Sequence, residues 1–198
     1  MQQLINKLAV TLLISFFGCS SVKLIEQVSD EGQQRFSIKQ SGSASDTVYH
    51  GIYTVWYPNG VKKLEVTYKN GKKQGMESLW DPHGTRIRET WYKSGKKSGI
   101  ESYWDNRGNL KKTMQFQNGL QNGMEVTYSA DGKKLKEEFY KAGLKEGVEK
   151  GYDENGRLVY QVFYSKGKKH GKESFFDYSK GGVPTATEVN WQNGEVVK

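Results

Sequence analysis

Glutamate recurs at one fixed place along the chain, at Glu77, Glu101, Glu125, Glu149 and Glu173, with 24 residues between successive members. Two carboxylates that differ in surroundings can act as general acid and general base, as in glycoside hydrolysis. An even series singles out no such pair, because every member meets equivalent neighbours. We therefore expect no catalytic residue among the glutamates, and we interpret them as solvating one sheet face or pairing with lysines.

The three histidines also fail to form a reactive cluster. His50, His83 and His170 each precede a glycine, and no two have the spacing of metal ligands. The glycine pair in GKKQG, from Gly71 to Gly75, precedes no predicted helix whose N-terminus would bind phosphate. The sequence thus predicts turn histidines, no enzyme activity, no metal, no cofactor and no small-molecule substrate.

The only cysteine, Cys19, follows an apolar run of 11 residues, LAVTLLISFFG, from Leu8 to Gly18. The run is too short to cross a bilayer as a helix and has the length of the apolar core of a secretory signal peptide. Its end resembles a bacterial lipoprotein signal in the glycine and the cysteine, although Phe16 and Phe17 depart from that signal's usual residues. We predict a signal peptide over residues 1–18 and lipidation of Cys19.

Ser20 follows the predicted lipidation site. An aspartate there would resemble an inner-membrane retention signal, so the serine favours the outer membrane if the cell is Gram-negative. We therefore expect an exported protein, lipid-anchored at the cell envelope. An uncleaved membrane anchor and an ordinary buried N-terminal segment remain alternatives.

Three glycine series share the 24-residue period. The first comprises Gly51, Gly75, Gly99, Gly123, Gly147 and Gly171, and further glycines follow nine and 20 residues after its first five members. Glycine adopts positive φ without steric cost, so such series indicate turns. Segments such as YPNG, DPHG and DENG predict tight turns, and segments such as KNGKKQG predict polar loops. Each unit then reads as strand, turn, strand, loop, which is one β-hairpin leading to the next.

Aromatic residues follow the same period. Five residues after the first glycine series stand Trp56, Trp80, Trp104, Tyr128, Tyr152 and Phe176, and 17 residues after it stand Tyr68, Tyr92, Phe116, Tyr140 and Tyr164, with Trp191 in the last, shifted unit. Apolar residues such as Ile52 come one residue after the glycine, on the same face of the strand as the first aromatic series and opposite the glutamates. The aromatics are expected to form a core shared between hairpins, or an open groove for a partner chain.

The predicted fold class is all-β, an elongated antiparallel meander of about six 24-residue hairpins over residues 49–198. Residues 19–48 are predicted to hold the lipid-anchor linker and a degenerate capping unit, with two strands around Glu31 and Gly32. The stretch SGSASD, from Ser41 to Asp46, is predicted to be a flexible loop.

Lysines form the second candidate binding feature, and the formal net charge of the chain is +8. They recur near the predicted loops as Lys69, Lys72 and Lys73, as Lys93, Lys96 and Lys97, as Lys141 and Lys145, and as Lys166, Lys168 and Lys169. A rail of ammonium groups at one turn edge would favour an anionic membrane, or would simply keep loops and edges soluble. QNGLQNG interrupts the rail, which disfavours a nucleic-acid track.

The pattern W-Y-P-N-G followed by Y-K-N-G-K-K-x-G resembles the bacterial variant of the MORN repeat, over about residues 49–194. The classical eukaryotic repeat is usually one residue shorter and is built on Tyr-x-Gly. The resemblance implies an extended array of β-hairpins that serves as a protein- or lipid-binding scaffold. Many bacterial members carry the label of antitoxin.

These observations predict a non-catalytic, exported and lipid-anchored scaffold that binds an unknown protein or an anionic lipid surface at the cell envelope. The alternative is an antitoxin-like inhibitor that sequesters a partner protein. The candidate binding residues are Trp56, Trp80, Trp104, Lys72, Lys73, Lys96, Lys97, Lys168 and Lys169.

Overall fold

A computed structural model describes residues 8–12, 21–29, 32–40, 47–179, 181 and 183–197, and every regular element in them is a β-strand. The strands are β1 (Leu8–Leu12), β2 (Ser21–Ser29), β3 (Gly32–Gln40), β4 (Thr47–Trp56), β5 (Lys62–Lys69), β6 (Lys72–Trp80), β7 (Arg86–Lys93), β8 (Lys96–Trp104), β9 (Leu110–Gln117), β10 (Leu120–Tyr128), β11 (Lys134–Lys141), β12 (Leu144–Lys145), β13 (Gly147–Tyr152), β14 (Leu158–Ser165), β15 (Lys168–Asp177), β16 (Thr185–Gln192) and β17 (Glu195–Val197). The all-β prediction is confirmed.

The chain forms two compact units, Met1–Lys97 and Ser98–Lys198. In the first unit, the strands from β1 to β7 each pair antiparallel with the next strand. In the second unit, β8, β9 and β10 each pair antiparallel with the next strand, β11 pairs with both β12 and β13, and the strands from β13 to β16 each pair with the next. Each unit is therefore the antiparallel meander of hairpins that the glycine period predicts.

The N-terminal region contains the predicted pair of strands. β2 and β3 are antiparallel, and their pairing begins with Ser29 opposite Gly32 and continues along both strands. The run of apolar residues contributes β1, which pairs with β2. Cys19 and the predicted loop from Ser41 to Asp46 lie outside the described residues. Within the described part of the chain, no helix has the length and apolar character needed to cross a membrane.

The polar loops predicted around KNGKKQG are two-residue turns instead. Lys69 pairs directly with Lys72, so only Asn70 and Gly71 connect the strands, with φ of 50° and 75°. Two consecutive positive φ angles define a type I′ turn, whose twist matches that of the strands it joins. The same geometry recurs at Ser94, Asn118, Ala142, Lys166 and Asn193, each followed by a glycine. The lysines after each glycine therefore belong to a strand.

The glycines of the first series form bulges inside strands. The pairing of β5 with β6 shifts between Val66 and Tyr68, opposite Gly75, whose φ is 85°. A positive φ at a bulge suits glycine, because a side chain there is strained. Lys73 and Glu77 are four residues apart and share a face of the sheet, and the bulge between them brings them close enough to form an ion pair.

The other turns agree with the sequence prediction. In DPHG, the N–H of Gly84 donates to the carbonyl of Asp81 at 3.0 Å, and Oδ1 of Asp81 accepts from the N–H groups of His83 and Thr85, both at 2.9 Å. Asp105 repeats the arrangement in the second unit, where backbone hydrogen bonding lowers the pKa of its carboxyl group. These aspartates lock the turn by accepting from the backbone, which is the usual role of aspartate in turns.

In the last, shifted repeat, Trp191 lies opposite Gly171, as the predicted substitution of tryptophan for tyrosine requires.

The interior of the described sheet contains few apolar side chains. Its buried hydrophobic side chains are Val66, Val126 and Val162, and they lie among buried serine, threonine and glutamate residues. Polar contacts must therefore hold much of the fold together.

Candidate functional site

The recurring glutamates are among the most buried charged side chains of the described residues. Glu77 is 2% exposed and Glu101 is 0% exposed, and Glu125, Glu149 and Glu173 are buried with them. The prediction that these carboxylates solvate a sheet face is wrong. The alternative, that they pair with lysines, is what the structure shows for Glu77, Glu125, Glu149 and Glu173. Buried carboxylates must be paired because removing a charge from water without a partner is very costly.

Glu77, Glu149 and Glu173 each belong to a repeated cluster of a carboxylate, an ammonium group and an aromatic ring. Lys73 forms an ion pair with Glu77 and places its Nζ 4.9 Å from the ring centroid of Tyr92. In the last repeat, Nζ of Lys169 lies 2.6 Å from Glu173 and 4.4 Å from the ring centroid of Trp191. The ammonium group thus gains both an ion pair and a cation–π contact, and the ring shields the pair from water.

One part of the second unit departs from this regular pattern. Glu138 takes a place that Val66 and Val162 hold in other repeats, and it is buried beside Glu125 and Glu149. Lys136 pairs with both Glu138 and Glu149, and Lys145 does the same.

The pKa shifts in this part of the sheet follow from its contacts. Burial alone would raise the pKa of Glu149, but hydrogen bonds from Lys145, Lys136 and Tyr160 outweigh it and hold the pKa below its usual value. Burial and the hydrogen bond to Glu149 raise the pKa of Tyr160 above its usual value. The pKa of Lys145 is raised, because its two carboxylate partners outweigh desolvation. The carboxylate of Glu149 is therefore held in its charged form, which suits a structural role better than proton transfer.

The apolar residues that follow the bulge glycines lie on the opposite face, as predicted, but they are exposed. Ile52, Met76, Ile100 and Val148 all have large exposed fractions. They pair across strands with aromatic residues in several repeats, for example Met76 with Trp91 and Val148 with Phe163. Three of these aromatic partners were not predicted from the sequence: Trp91, Phe139 and Phe163. Their positions differ by multiples of 24 residues, and this period could have identified them.

The predicted aromatic candidates Trp56, Trp80 and Trp104 are half-buried. The guanidinium of Arg35 lies 5.6 Å from the ring centroid of Trp56, and Nζ of Lys62 lies 5.3 Å from that of Trp80. Trp104 lines a shallow cleft of about 400 Å³ together with Tyr103, Lys111, Lys112 and Met114. The tryptophans thus combine packing with a partly accessible ring face.

The predicted lysine candidates divide into two sets. Lys73 and Lys169 lie on the glutamate face in the clusters described above, and Lys97 is half-buried at the equivalent position. Lys72, Lys96 and Lys168 are exposed on the other face, one residue earlier in each strand. Together with Lys69, Lys93 and Lys166, which are also exposed, they leave two exposed lysines at each of these three turns, where the predicted rail had three.

The exposed lysines and the tryptophans do not form one site. Trp56 directly precedes the turn at Gly60, whereas Lys72 directly follows the turn at Gly71, so they lie at opposite ends of the hairpin. The intervening strand β5 has eight residues and is therefore about 26 Å long. A ligand that contacts the lysines would leave the tryptophans free.

A cleft of about 470 Å³ lies at the lysine end of the first unit, lined by Lys69, Asn70, Lys72, Gln74, Lys93 and Ser94. Gln74 accepts a hydrogen bond from the backbone N–H of Ser94 at 3.0 Å, which fixes one turn against the neighbouring strand. Lys69, Lys72 and Lys93 are exposed and form no ion pair with any described residue. The cleft is therefore a basic surface without an internal counter-charge.

The histidines differ from their predicted places. Only His83 lies in a turn, whereas His50 lies in β4 and His170 lies in β15. The Nδ1 of His50 accepts from the backbone N–H of Asn70 at 3.4 Å, in the same way that Gln74, Asn122 and Glu146 support later turns. Across the described residues, no three His, Cys, Asp or Glu side chains are grouped so as to hold a metal ion.

Comparison with known proteins gives one family match. The MORN repeat variant matches this chain at residues 49–70 and 145–166. Each match begins just before a bulge glycine and ends at a type I′ turn, so it contains one whole hairpin. These two segments are similar to the MORN repeat variant. No curated protein matches the chain. MORN repeats generally act as scaffolds that bind membranes or other proteins.

Proposed function

We propose that this chain is a non-catalytic repeat scaffold that is exported, lipid-anchored through Cys19, and binds an anionic lipid surface or an acidic protein at the cell envelope. The observation that carries the binding part of the proposal is the cross-strand pair of Lys69 and Lys72. Like charges directly opposite each other on neighbouring strands destabilise a sheet. An anionic partner in the cleft would offset that repulsion.

The cleft has the composition of a site for a phosphate or carboxylate group. Lys69, Lys72 and Lys93 supply three ammonium groups, and the exposed side chains of Asn70 and Ser94 supply neutral hydrogen-bond donors. Near an anionic membrane each lysine contributes about 1 kcal/mol. Three of them together give a contact that is useful when an anchor already holds the protein at the surface, because the anchor raises the effective concentration.

The export part of the proposal rests on the apolar run from Leu8 to Gly18, followed directly by Cys19. A single acyl chain gives only marginal membrane binding, so stable anchoring usually takes a second signal such as a basic surface. The unpaired lysines would supply that second signal. Anchor and lysine cleft would then act together at one membrane.

The binding function is tested by vesicle flotation in a Cys19→Ala background, so that an acyl chain does not itself hold the protein on vesicles. The triple variant Lys69→Gln, Lys72→Gln, Lys93→Gln should bind phosphatidylglycerol vesicles about 100-fold more weakly than the parent. The control variant Lys63→Gln, Arg107→Gln, Lys111→Gln loses the same charge from exposed positions near the other turns. Equal loss in both variants would mean that net charge alone drives binding, and would exclude the cleft.

Localisation is tested by metabolic labelling with a fatty acid and by cell fractionation, comparing the wild type with Cys19→Ala. The expected result is label in the wild type alone, with the wild type in the membrane fraction. A protein that retains Met1, takes no label and stays inside the cell would contradict export. The antitoxin-like inhibitor would then be favoured, and purification of one tightly bound protein partner would be the next step.

A further inference from the structure

The second unit carries an exposed apolar patch, which we define as Leu120, Phe139, Leu144, Val148 and Phe163. Their exposed fractions are 53, 40, 53, 41 and 39%. Val148 and Phe163 are direct cross-strand neighbours. Phe139 lies two residues from Lys141, which is the cross-strand neighbour of Leu144, so the three share a face. Large apolar side chains that are contiguous and exposed mark interaction sites more often than scattered ones do.

The patch arises from a local departure from the repeat. Leu120 and Leu144 take the place that Lys72, Lys96 and Lys168 hold in other repeats. Each leucine rests against the turn of the next hairpin, since Cδ2 of Leu144 lies 3.7 Å from where a Cβ of Gly167 would be. The two leucines extend the apolar row of the strands as far as the turns. No other pair of neighbouring repeats in the described chain has this substitution.

The patch has a basic border. Lys141, Lys166 and Lys168 are exposed and have no ion-pair partner among the residues the structure describes. Lys141 is directly opposite Leu144, and Lys168 is directly opposite Ser165. A partner that covers the patch would therefore gain from acidic groups at the margin of its own apolar surface.

The spacing of the patch indicates the shape of that partner. Equivalent residues such as Leu120 and Leu144, or Phe139 and Phe163, are one hairpin apart, which is two strand spacings or about 9.6 Å. Seven residues of an α-helix rise about 10.5 Å, and residues seven apart lie on nearly the same side of the helix. A helix that crosses the strands would thus place apolar residues over successive repeats.

From the apolar patch, its basic border and this match of spacings, we infer that the second unit binds an amphipathic α-helix of a partner protein. The helix carries apolar residues at seven-residue intervals and acidic residues beside them. This site uses other residues than the lysine cleft, so it does not depend on the function proposed above. The limited extent of the patch, two repeats, favours a discrete segment of protein over a continuous lipid surface.

The experiment uses the full chain with Cys19→Ala and a designed amphipathic peptide of about three heptads. The peptide has leucine at two positions in each heptad and glutamate at the flanking positions. Binding is measured by fluorescence anisotropy. A scrambled peptide of the same composition serves as the peptide control. The test variant is Leu120→Lys, Leu144→Lys, which installs the residue that equivalent positions already carry and should leave the fold intact.

We expect the designed peptide to bind the parent, and to bind the leucine variant about tenfold more weakly or worse. The variant Asn106→Lys, Asn155→Lys adds the same charge at exposed turn positions and should bind as the parent does. Replacement of the peptide glutamates by glutamine should weaken binding. Circular dichroism and equal unfolding midpoints verify that the variants are folded.

Three results would overturn the inference. The first is no preference of the parent for the designed peptide over the scrambled one. The second is equal affinity of the peptide for the parent and the leucine variant. The third is loss of phosphatidylglycerol vesicle binding in the leucine variant without any peptide binding by the parent, which would make the patch a membrane-insertion surface. Failure here leaves the lysine-cleft result unchanged, because the two tests use different variants.

Discussion

Glu138 lies directly opposite Glu125 on neighbouring antiparallel strands, and both carboxylates are buried. The pair persists because Lys112 forms an ion pair with Glu125, while Lys136 and Lys145 form ion pairs with Glu138. Two buried like charges are thus stabilised by three ammonium groups that reach in from the same face.

Replacing Glu138 with valine should not weaken the fold. Valine occupies the equivalent place at Val66 and Val162, and Lys136 and Lys145 would keep Glu149 as a partner. Removing one partner of a buried ion pair is destabilising when it leaves the other charge unpaired, and that does not happen here because both lysines keep a carboxylate. Urea unfolding monitored by tryptophan fluorescence gives the midpoint. A midpoint clearly below that of the wild type would show that Glu138 is required by its surroundings.

Loss of Glu77 should be destabilising. Glu77→Ala leaves Lys73 and Arg88 without their shared carboxylate, and the expected cost is about 1–3 kcal/mol. The matched control is Glu65→Ala in the same unit, because Glu65 forms its ion pair with Lys62 in a much more exposed position. The control should cost less than about 1 kcal/mol. Equal effects of the two substitutions in urea unfolding would contradict the importance of burial.

Acid should weaken the second unit through Glu149. The pKa of Glu149 is lower in the folded chain than its usual value of 4.5, so the carboxylate stabilises the fold above that pH. This contribution is lost as the pH falls below 4.5 and through the lowered pKa. Glu149→Gln should be less stable than the wild type at neutral pH and should lose less stability on acidification. Thermal unfolding over a series of pH values measures both, and parallel curves would refute the assignment.

High pH should destabilise the fold through ionisation of Tyr152. Burial and the hydrogen bond to the carboxylate of Glu137 raise the pKa of Tyr152 to about 12. Because the folded pKa is raised above its usual value of 10.0, the associated stability is present below pH 10 and is lost as the pH rises toward 12. Titration by ultraviolet difference absorbance should show one phenolate fewer at high pH in Tyr152→Phe. In Glu137→Gln the ionisation should move to lower pH, and an unchanged titration would exclude the hydrogen bond as its cause.

The type I′ turns allow a test of backbone strain. Ala142 has a φ of 50°, where Asn70, Asn118 and Asn193 stand in other turns. Alanine in the left-handed region costs roughly 1–2 kcal/mol, whereas asparagine tolerates it. Ala142→Asn should therefore raise the unfolding midpoint by the equivalent of about 1 kcal/mol, and Asn118→Ala should lower it by a similar amount. Changes of the same sign in both variants would contradict the strain argument.

The hairpins could be predicted from the sequence because their glycines are required by backbone geometry. Gly75 and Gly71 both have positive φ, and few other residues tolerate that conformation at low cost. The faces were also predictable, since Met76 and Glu77 are adjacent in a strand and must point to opposite sides. The MORN repeat variant match at residues 49–70 and 145–166 agrees with this part of the prediction.

Burial could not be read from residue types. A regular series of glutamates suggests a solvent-exposed sheet face. Glu77 is instead covered by Lys73 from its own strand and by Arg88 from the neighbouring strand. That contact depends on the bulge at Gly75, which shortens the distance between Lys73 and Glu77 along the face that they share. The sequence does contain a pattern that indicates this pairing. At four places a lysine stands two residues before the bulge glycine and a glutamate two residues after it: Lys73 and Glu77, Lys97 and Glu101, Lys145 and Glu149, Lys169 and Glu173.

The backbone also links successive hairpins at their turns. The N–H groups of five type I′ turn glycines donate at 2.8 Å to the carbonyl two residues before a bulge glycine: Gly71 to Tyr49, Gly95 to Lys73, Gly143 to Gln121, Gly167 to Lys145 and Gly194 to Lys169. The acceptor residue is a tyrosine, a lysine or a glutamine, so the link does not depend on any side chain. Recombination that duplicates or deletes a whole hairpin would therefore rejoin the chain through the same bond. The number of hairpins can therefore change in evolution while the backbone hydrogen bond between successive hairpins stays the same.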